Sequence, residues 1–92
     1  MTQKFQGASI VEQGVKFGIV IVQPQVLTTF DKTEANRIIA YFETRVFGVP
    51  VVLMTPDPMN HAPRYYGRTD IVNFLANVPV NAIPWQEYTV ND

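Results

Sequence analysis

The chain contains no cysteine among its 92 residues. This absence excludes disulfide bonds, thiol catalysis and metal sites built on cysteine, and it fits a reducing compartment. The first residues, MTQKFQGAS, lack the apolar segment of a signal peptide, and the apolar runs fall far below the roughly 18 residues of a membrane helix. We therefore expect a soluble, cytoplasmic protein.

Charge is scarce as well. Charged residues make up 16% of the chain, against roughly 25% in typical domains, and the net charge is −1. The seven Lys and Arg residues are spread singly, which argues against general nucleic-acid binding, because phosphate backbones are bound by clustered cations. The 47% hydrophobic content predicts one folded domain over residues 1–92. A homodimer would explain the weakly charged surface, and a monomer with a Gln/Asn/Thr-rich surface is the alternative.

Two short apolar runs predict strands that are covered on both faces. Residues 17–22 read FGIVIV and residues 49–54 read VPVVLM, and both are too short for a buried helix. The first run ends at Gln23-Pro24-Gln25, because proline cannot donate to a central ladder. Residues 5–11 predict a strand that pairs with this run through a turn at residues 12–14.

Residues 31–47 have the spacing of an amphipathic helix. Asp31 and Glu34 are placed as a capping box, and Gly48 and Pro50 supply the stop. The predicted buried stripe is Ala35, Ile38, Ile39, Phe42 and Val46, and the predicted solvated residues are Glu34, Arg37, Glu43 and Arg45.

The second half of the chain predicts three more elements. Residues 64–66 form a short strand, residues 70–78 form a helix capped by Thr69, and residues 86–90 form an edge strand. Because the first long helix joins the two apolar strands by short connections, these strands are expected to run parallel in a right-handed βαβ unit. The sequence therefore predicts an α/β fold: a small mixed sheet of four to five strands with two helices.

The ends of the two parallel strands suggest a binding site. In open α/β sheets, ligands bind beyond the carboxyl ends of the strands, and both ends here are proline-containing polar loops near the start of the first helix. The candidate ligand-binding residues are Gln23, Gln25, Asp57, Asn60, His61 and Arg64. The alternative is that these residues only make turns.

His61, the only histidine, does not complete a catalytic or metal site in the sequence. One histidine without cysteine falls short of the three protein ligands of a catalytic zinc site, and the only serine, Ser9, has no nucleophile elbow around it. The glycines form no nucleotide-binding fingerprint. We therefore assign no catalytic residue, no metal and no cofactor, and we expect a protein that is not an enzyme.

Four residues are candidates for an interaction surface. Tyr65 and Tyr66 with Arg68 could stack bases or bind phosphate, and Trp85 would mark an interface if it were exposed. The alternatives are an ordinary edge strand, in which one tyrosine points inward, and a tryptophan that is packed on a helix.

Residues 48–78 resemble a known fold. Gly48-Val49-Pro50, the strand VVLM, the segment RYYG and the helix beginning TDIVNFL follow one another as in the carboxyl half of the thioredoxin and glutaredoxin fold. In that family a cis proline borders the active site. The chain departs from the family because it has no Cys-x-x-Cys motif and because residues 79–90 extend past the family's closing helix. The resemblance therefore implies no redox activity.

These features predict a small non-enzymatic protein that acts by protein–protein interaction or self-association. The alternative is a small-molecule or anion-binding protein that uses the carboxyl-end loops, with or without weak hydrolytic chemistry at His61. The third alternative is a nucleic-acid accessory protein that uses Arg64, Tyr65, Tyr66 and Arg68.

Overall fold

The computed structural model describes residues 2–12, 14–28, 31–56 and 63–91. The strands and helices follow in the order β1 Thr2–Glu12, β2 Val15–Ile21, α1 Pro24–Thr28, α2 Thr33–Phe42, β3 Val51–Thr55, β4 Arg64–Tyr66, α3 Thr69–Leu75 and β5 Gln86–Asn91. A π-helical segment, Glu43–Phe47, continues α2, and a single 3₁₀ turn, Val80–Ala82, follows α3.

All five strands form one mixed sheet in the order β4-β3-β2-β1-β5. The pair β2–β3 is parallel and the other three pairs are antiparallel. The structure therefore confirms the predicted mixed sheet and its parallel pair, formed by the strands before and after the long helix. β1 is longer than its neighbours, so residues 7–12 pair with β2 while residues 2–7 pair with β5. Gly7 is the one residue of β1 that pairs on both sides.

Helices cover both faces of the sheet, so the core consists of two clusters, one on each face. The first cluster lies under α1 and α2 and consists of Val20, Leu27, Ala35, Val51 and Leu53. The second lies under α3 and consists of Ala8, Phe17, Ile19, Val52, Met54, Ile71, Leu75 and Ile83. Val51, Val52, Leu53 and Met54 of β3 alternate between the two clusters, which explains why this part of the strand is apolar on both faces.

The helix predicted over residues 31–47 starts later and changes its winding near its end. Asp31 accepts hydrogen bonds from the backbone N–H and the hydroxyl of Thr33, at 2.9 and 2.5 Å, in a turn before the helix. These two hydrogen bonds lower the pKa of Asp31, and the bond from the Thr33 hydroxyl has the larger effect. Glu34 does not complete a capping box with Asp31; its carboxylate pairs with Arg37 on the helix surface.

The π-helical segment changes which side chains face the core. Its last hydrogen bond joins the Gly48 N–H to the Glu43 carbonyl at 3.0 Å, five residues back. Wider winding rotates the following residues, so Phe47 packs against the core where the regular spacing predicts Val46. Gly48 ends the helix as predicted, with φ of 68°.

The remaining differences are short segments. Pro24–Thr28 forms the helix α1, where the sequence predicts only a loop. Proline is compatible with this helix because Pro24 occupies its first position, where no backbone N–H is needed. The helix predicted over residues 70–78 ends at Leu75, and the next turns tighten through hydrogen bonds such as Val78 N–H to Leu75 O, 3.0 Å. None of the helices in the described ranges has the length and apolar character that a bilayer crossing requires.

Candidate functional site

The carboxyl ends of β2 and β3 meet at one edge of the sheet, as predicted. The Val22 N–H donates to the Met54 carbonyl at 2.9 Å, so Gln23 follows directly beside the end of β3. The Gln25 amide donates to the Gln23 side chain, and Arg64 pairs with Thr55 in the β3–β4 ladder. The exposed side chains of Gln23, Gln25 and Arg64 therefore share this edge.

Three of the candidate residues at this edge, Asp57, Asn60 and His61, lie outside the described residues. Within the described ranges, no three His, Asp or Glu side chains lie close enough together to hold a metal ion.

Tyr65 and Tyr66 lie on opposite faces of β4. Tyr65 packs against the cluster under α3, and its hydroxyl is buried with no hydrogen-bond partner among the described residues. Tyr66 packs on the α2 side, and its hydroxyl donates to Asn36 Oδ1 at 2.8 Å. Since the two rings point apart, they do not form one stacking surface.

Arg68 and Trp85 both make hydrogen bonds within the protein, Arg68 at the surface and Trp85 half-buried. Arg68 donates through Nε and Nη2 to the Asp70 carboxylate, at 3.2 and 2.7 Å, and this hydrogen bonding lowers the pKa of Asp70. Trp85 is half-buried against the cluster under α3, and its Nε1 donates to the Val80 carbonyl at 3.0 Å.

We expect Tyr65→Phe to stabilise the protein by about 1 kcal/mol, because it removes a buried hydroxyl that has no partner in the described structure. Chemical denaturation at neutral pH measures the change. Tyr66→Phe is the matched control: it breaks the hydrogen bond to Asn36 and should be neutral or slightly destabilising. Equal effects of the two substitutions would contradict the expectation.

The same residue gives the protein an alkaline sensitivity. Burial raises the pKa of Tyr65 above its usual 10.0, so the folded state holds this proton more tightly than the unfolded state. Stability is therefore lost as pH rises from 10.0 toward the folded pKa. Tyr65→Phe should make the decline of stability shallower in that window, whereas near neutral pH its stability gain should not vary with pH.

An open cleft, here called the Tyr66 cleft, lies between α2 and the strand β4. It has a volume of about 250 Å³ and is lined by Asn36, Ile39, Glu43, Val51, Tyr66 and Arg68. The sequence predicts that Glu43 points into solvent, and the structure differs. Glu43 Oε2 accepts the Val51 N–H at 2.9 Å. Sequence reasoning did not select Asn36 and Glu43, although their i, i+7 spacing, with Ile39 between them, places them on one side of the helix.

A second groove of about 180 Å³ lies between α3 and the β1–β2 hairpin. Phe17 and Phe74 meet edge to face in it, with ring centroids 6.2 Å apart. Val15 and Phe74 are 43% and 36% exposed, so the groove exposes apolar side chains, and Glu12 and Asp70 also line it.

The two edges of the sheet differ in their protection. β4 has three residues, follows Pro63 and begins with Arg64. β5 has six residues and pairs only with β1, so its other edge has no partner in the described chain. Tyr88 of β5 stacks on Phe5 of β1 at a centroid distance of 5.2 Å and an interplanar angle of 11°.

No protein family, curated protein or solved structure matches the chain. The resemblance of residues 48–78 to the thioredoxin fold gains no support from these comparisons, and the Val49–Pro50 peptide bond is trans. Function is therefore inferred from the geometry of this chain alone.

Proposed function

We propose that the protein is a non-enzymatic cytoplasmic module that acts by self-association, through pairing of β5 with β5 of a second copy. The observation that carries this proposal is the outer edge of β5, six residues long, which has no strand partner among the described residues. Such an edge presents a row of backbone donors and acceptors, and proteins that stay monomeric protect it by short length, charge or proline. β4 has these protections, and β5 lacks most of them.

The charge pattern of β5 suits a second copy. In a symmetric antiparallel pair, each residue faces one of the same parity, so the two registers that pair most of the strand are centred on Tyr88 or on Thr89. Glu87 is the only charged residue of β5. It faces Thr89 in the first register and Asn91 in the second, so neither register places it opposite its own copy.

The aromatic side chains next to this edge favour the same pairing. Tyr88 is half-buried between Phe5 and Phe47, whose ring centroids lie 5.2 and 5.4 Å from it. A second β5 would place another tyrosine or a valine beside this ring, because Tyr88 faces Tyr88 in one register and Val90 in the other. Cross-strand aromatic and β-branched pairs are stabilising.

The absence of cysteine supports the cytoplasmic part of the proposal. A chain without cysteine does not depend on disulfide bonds, which do not persist in a reducing compartment.

Hydrogen exchange tests the pairing directly. In an antiparallel edge strand alternate amides bond to the neighbour, and the others point outward. We expect the outward amides of Gln86–Asn91 to exchange more slowly as protein concentration rises, with a dimer dissociation constant on the order of 10 μM for so small an interface. The outward amides of β4 are the internal control and should not change. A monomer by sedimentation at high micromolar concentration, with unchanged exchange, would refute the proposal.

We expect Thr89→Asp to weaken the dimer about tenfold, because both symmetric registers then place like charges opposite each other. Within the monomer, position 89 faces Lys4 on β1, so the new carboxylate meets a cation there. Thr89→Asn is the matched control, with the same shape and no charge, and it should dimerise like the unmodified protein. Sedimentation over a concentration series compares the three proteins, and equal weakening by both substitutions would show that charge is not the cause.

A further inference from the structure

The geometry points to a second binding site: we propose that the Tyr66 cleft binds a small zwitterion of the α-amino acid type. The cleft volume of about 250 Å³ lies just below the usual range for drug-sized ligands, roughly 300–1,000 Å³. The ligand is therefore a small molecule. The cleft is remote from the β5 edge, since β4 and β5 are opposite ends of the sheet, so this site is independent of self-association.

The polar groups of the cleft are oriented by bonds within the protein. Glu43 Oε2 accepts the Val51 N–H, which leaves Oε1 available. Asn36 Oδ1 accepts the Tyr66 hydroxyl, which leaves the amide N–H groups to donate. Arg68 uses Nε and Nη2 for Asp70, which leaves Nη1. The cleft therefore offers one charged acceptor, on Glu43, and two sets of donors, on Asn36 and Arg68.

These groups select the charges of the ligand. A carboxylate such as Glu43 binds an ammonium group, and an arginine with a neighbouring amide binds a carboxylate. A simple anion would meet the Glu43 carboxylate, and a simple cation would leave Arg68 Nη1 and the Asn36 amide without an acceptor. A molecule with both charges satisfies both sides. Ile39, which is partly exposed, supplies an apolar contact for its aliphatic part.

The backbone next to the cleft has an unusual conformation. Glu43 is the first residue of the π-helical segment, and such segments occur frequently at functional sites. The Glu43 carboxylate accepts the first N–H of β3, that of Val51, at 2.9 Å. The carboxylate is thereby held in place before any ligand arrives, which reduces the entropy lost on binding.

A titration followed by amide chemical shifts tests the site with three related probes. Valine carries both charges, isobutylamine carries only the ammonium group and isovalerate carries only the carboxylate. We expect valine to shift the amides around Asn36, Glu43 and Arg68 at millimolar concentration, and each single-charge probe to bind at least about tenfold more weakly, because a hydrogen bond to a charged group contributes about 1.5–3 kcal/mol. The proposal would be overturned if isovalerate or isobutylamine bound as well as valine. It would also be overturned if no small amino acid, from glycine to leucine, shifted the amide signals around the cleft.

Glu43→Gln is the informative variant, because glutamine keeps an oxygen for the Val51 N–H and removes only the charge. It should fold normally and bind valine about tenfold more weakly. Arg45→Gln is the matched control: it removes an exposed charge from the same π-helical segment, and Arg45 is not among the residues that line the cleft. Valine affinity that is unchanged in Glu43→Gln, or equally reduced in Arg45→Gln, would refute the assignment.

Discussion

Replacing Gly7 with alanine is expected to destabilise the protein by about 3 kcal/mol, because the site has no room for a methyl group. A Cβ atom at this position would lie 2.4 Å from the Ile19 carbonyl oxygen and 3.3 Å from the Phe5 ring. The first of these atoms belongs to the backbone of β2, so it cannot rotate away. The strands β1 and β2 would have to separate.

The position of Gly7 in the sheet makes this separation costly. Gly7 pairs with Val20 of β2 on one side and with Gln86 of β5 on the other. A displacement of its backbone therefore disturbs both ladders of β1. Loss of hydrogen bonds in both ladders is what distinguishes this substitution from overpacking in a side-chain core.

Urea denaturation measures the effect, with Gly14→Ala as the matched control. Gly14 has φ of 79° and no atom within 4 Å of an added Cβ, so alanine there introduces only backbone strain, about 1 kcal/mol. If Gly7→Ala cost no more than Gly14→Ala, the close approach of β1 and β2 described here would be wrong.

Leu53→Ala should destabilise the protein by about 3–4 kcal/mol, through lost burial and the cavity left behind. Leu53 is fully buried in β3 and belongs to the cluster with Leu27 of α1 and Ala35 of α2. Ala35 is too small to move into the space, and Val20 on the neighbouring strand is held by its pairing with Leu53. The cavity can therefore collapse only partly.

The control for this substitution is Val11→Ala on the exposed part of β1. Val11 is 64% exposed, so its truncation should change the free energy of unfolding by less than about 0.5 kcal/mol. Thermal or urea unfolding compares the two. Similar losses at both positions would mean that residue 53 is not in a closed core.

The sequence predicts those elements whose signal is local. β2 and β3 are short apolar runs that end at proline or polar residues, and α2 has a regular apolar stripe from Ala35 to Phe42. The parallel pairing then follows from the short connections alone. For these elements, each residue's environment repeats with the period of the backbone, so pattern and structure agree.

The elements that the sequence does not predict depend on contacts far along the chain. α1 has five residues, too few to show a helical period. The π-helical segment leaves no mark in the spacing of the stripe; its structural consequence is that Phe47, rather than Val46, packs against Phe5. Phe5 precedes it by about forty residues, so no local pattern could reveal the contact.

The candidate binding surfaces also differ in whether the sequence predicts them. The carboxyl edge was predictable from strand ends, and the structure places Gln23, Gln25 and Arg64 there. The Tyr66 cleft was not predictable, because Asn36 and Tyr66 are thirty positions apart and belong to different elements. Their hydrogen bond is set by how α2 lies on the sheet, which single-residue patterns do not encode.

The pairing of β1 with both β2 and β5 also sets an order for folding during synthesis. β2 follows β1 at once through a tight hairpin, so that half of β1 can pair as soon as both strands leave the ribosome. The other half of β1 must wait for β5, which is made after every other described element. Until then, residues 2–6 have no strand partner, and the nascent chain is open to pairing with other chains during this interval.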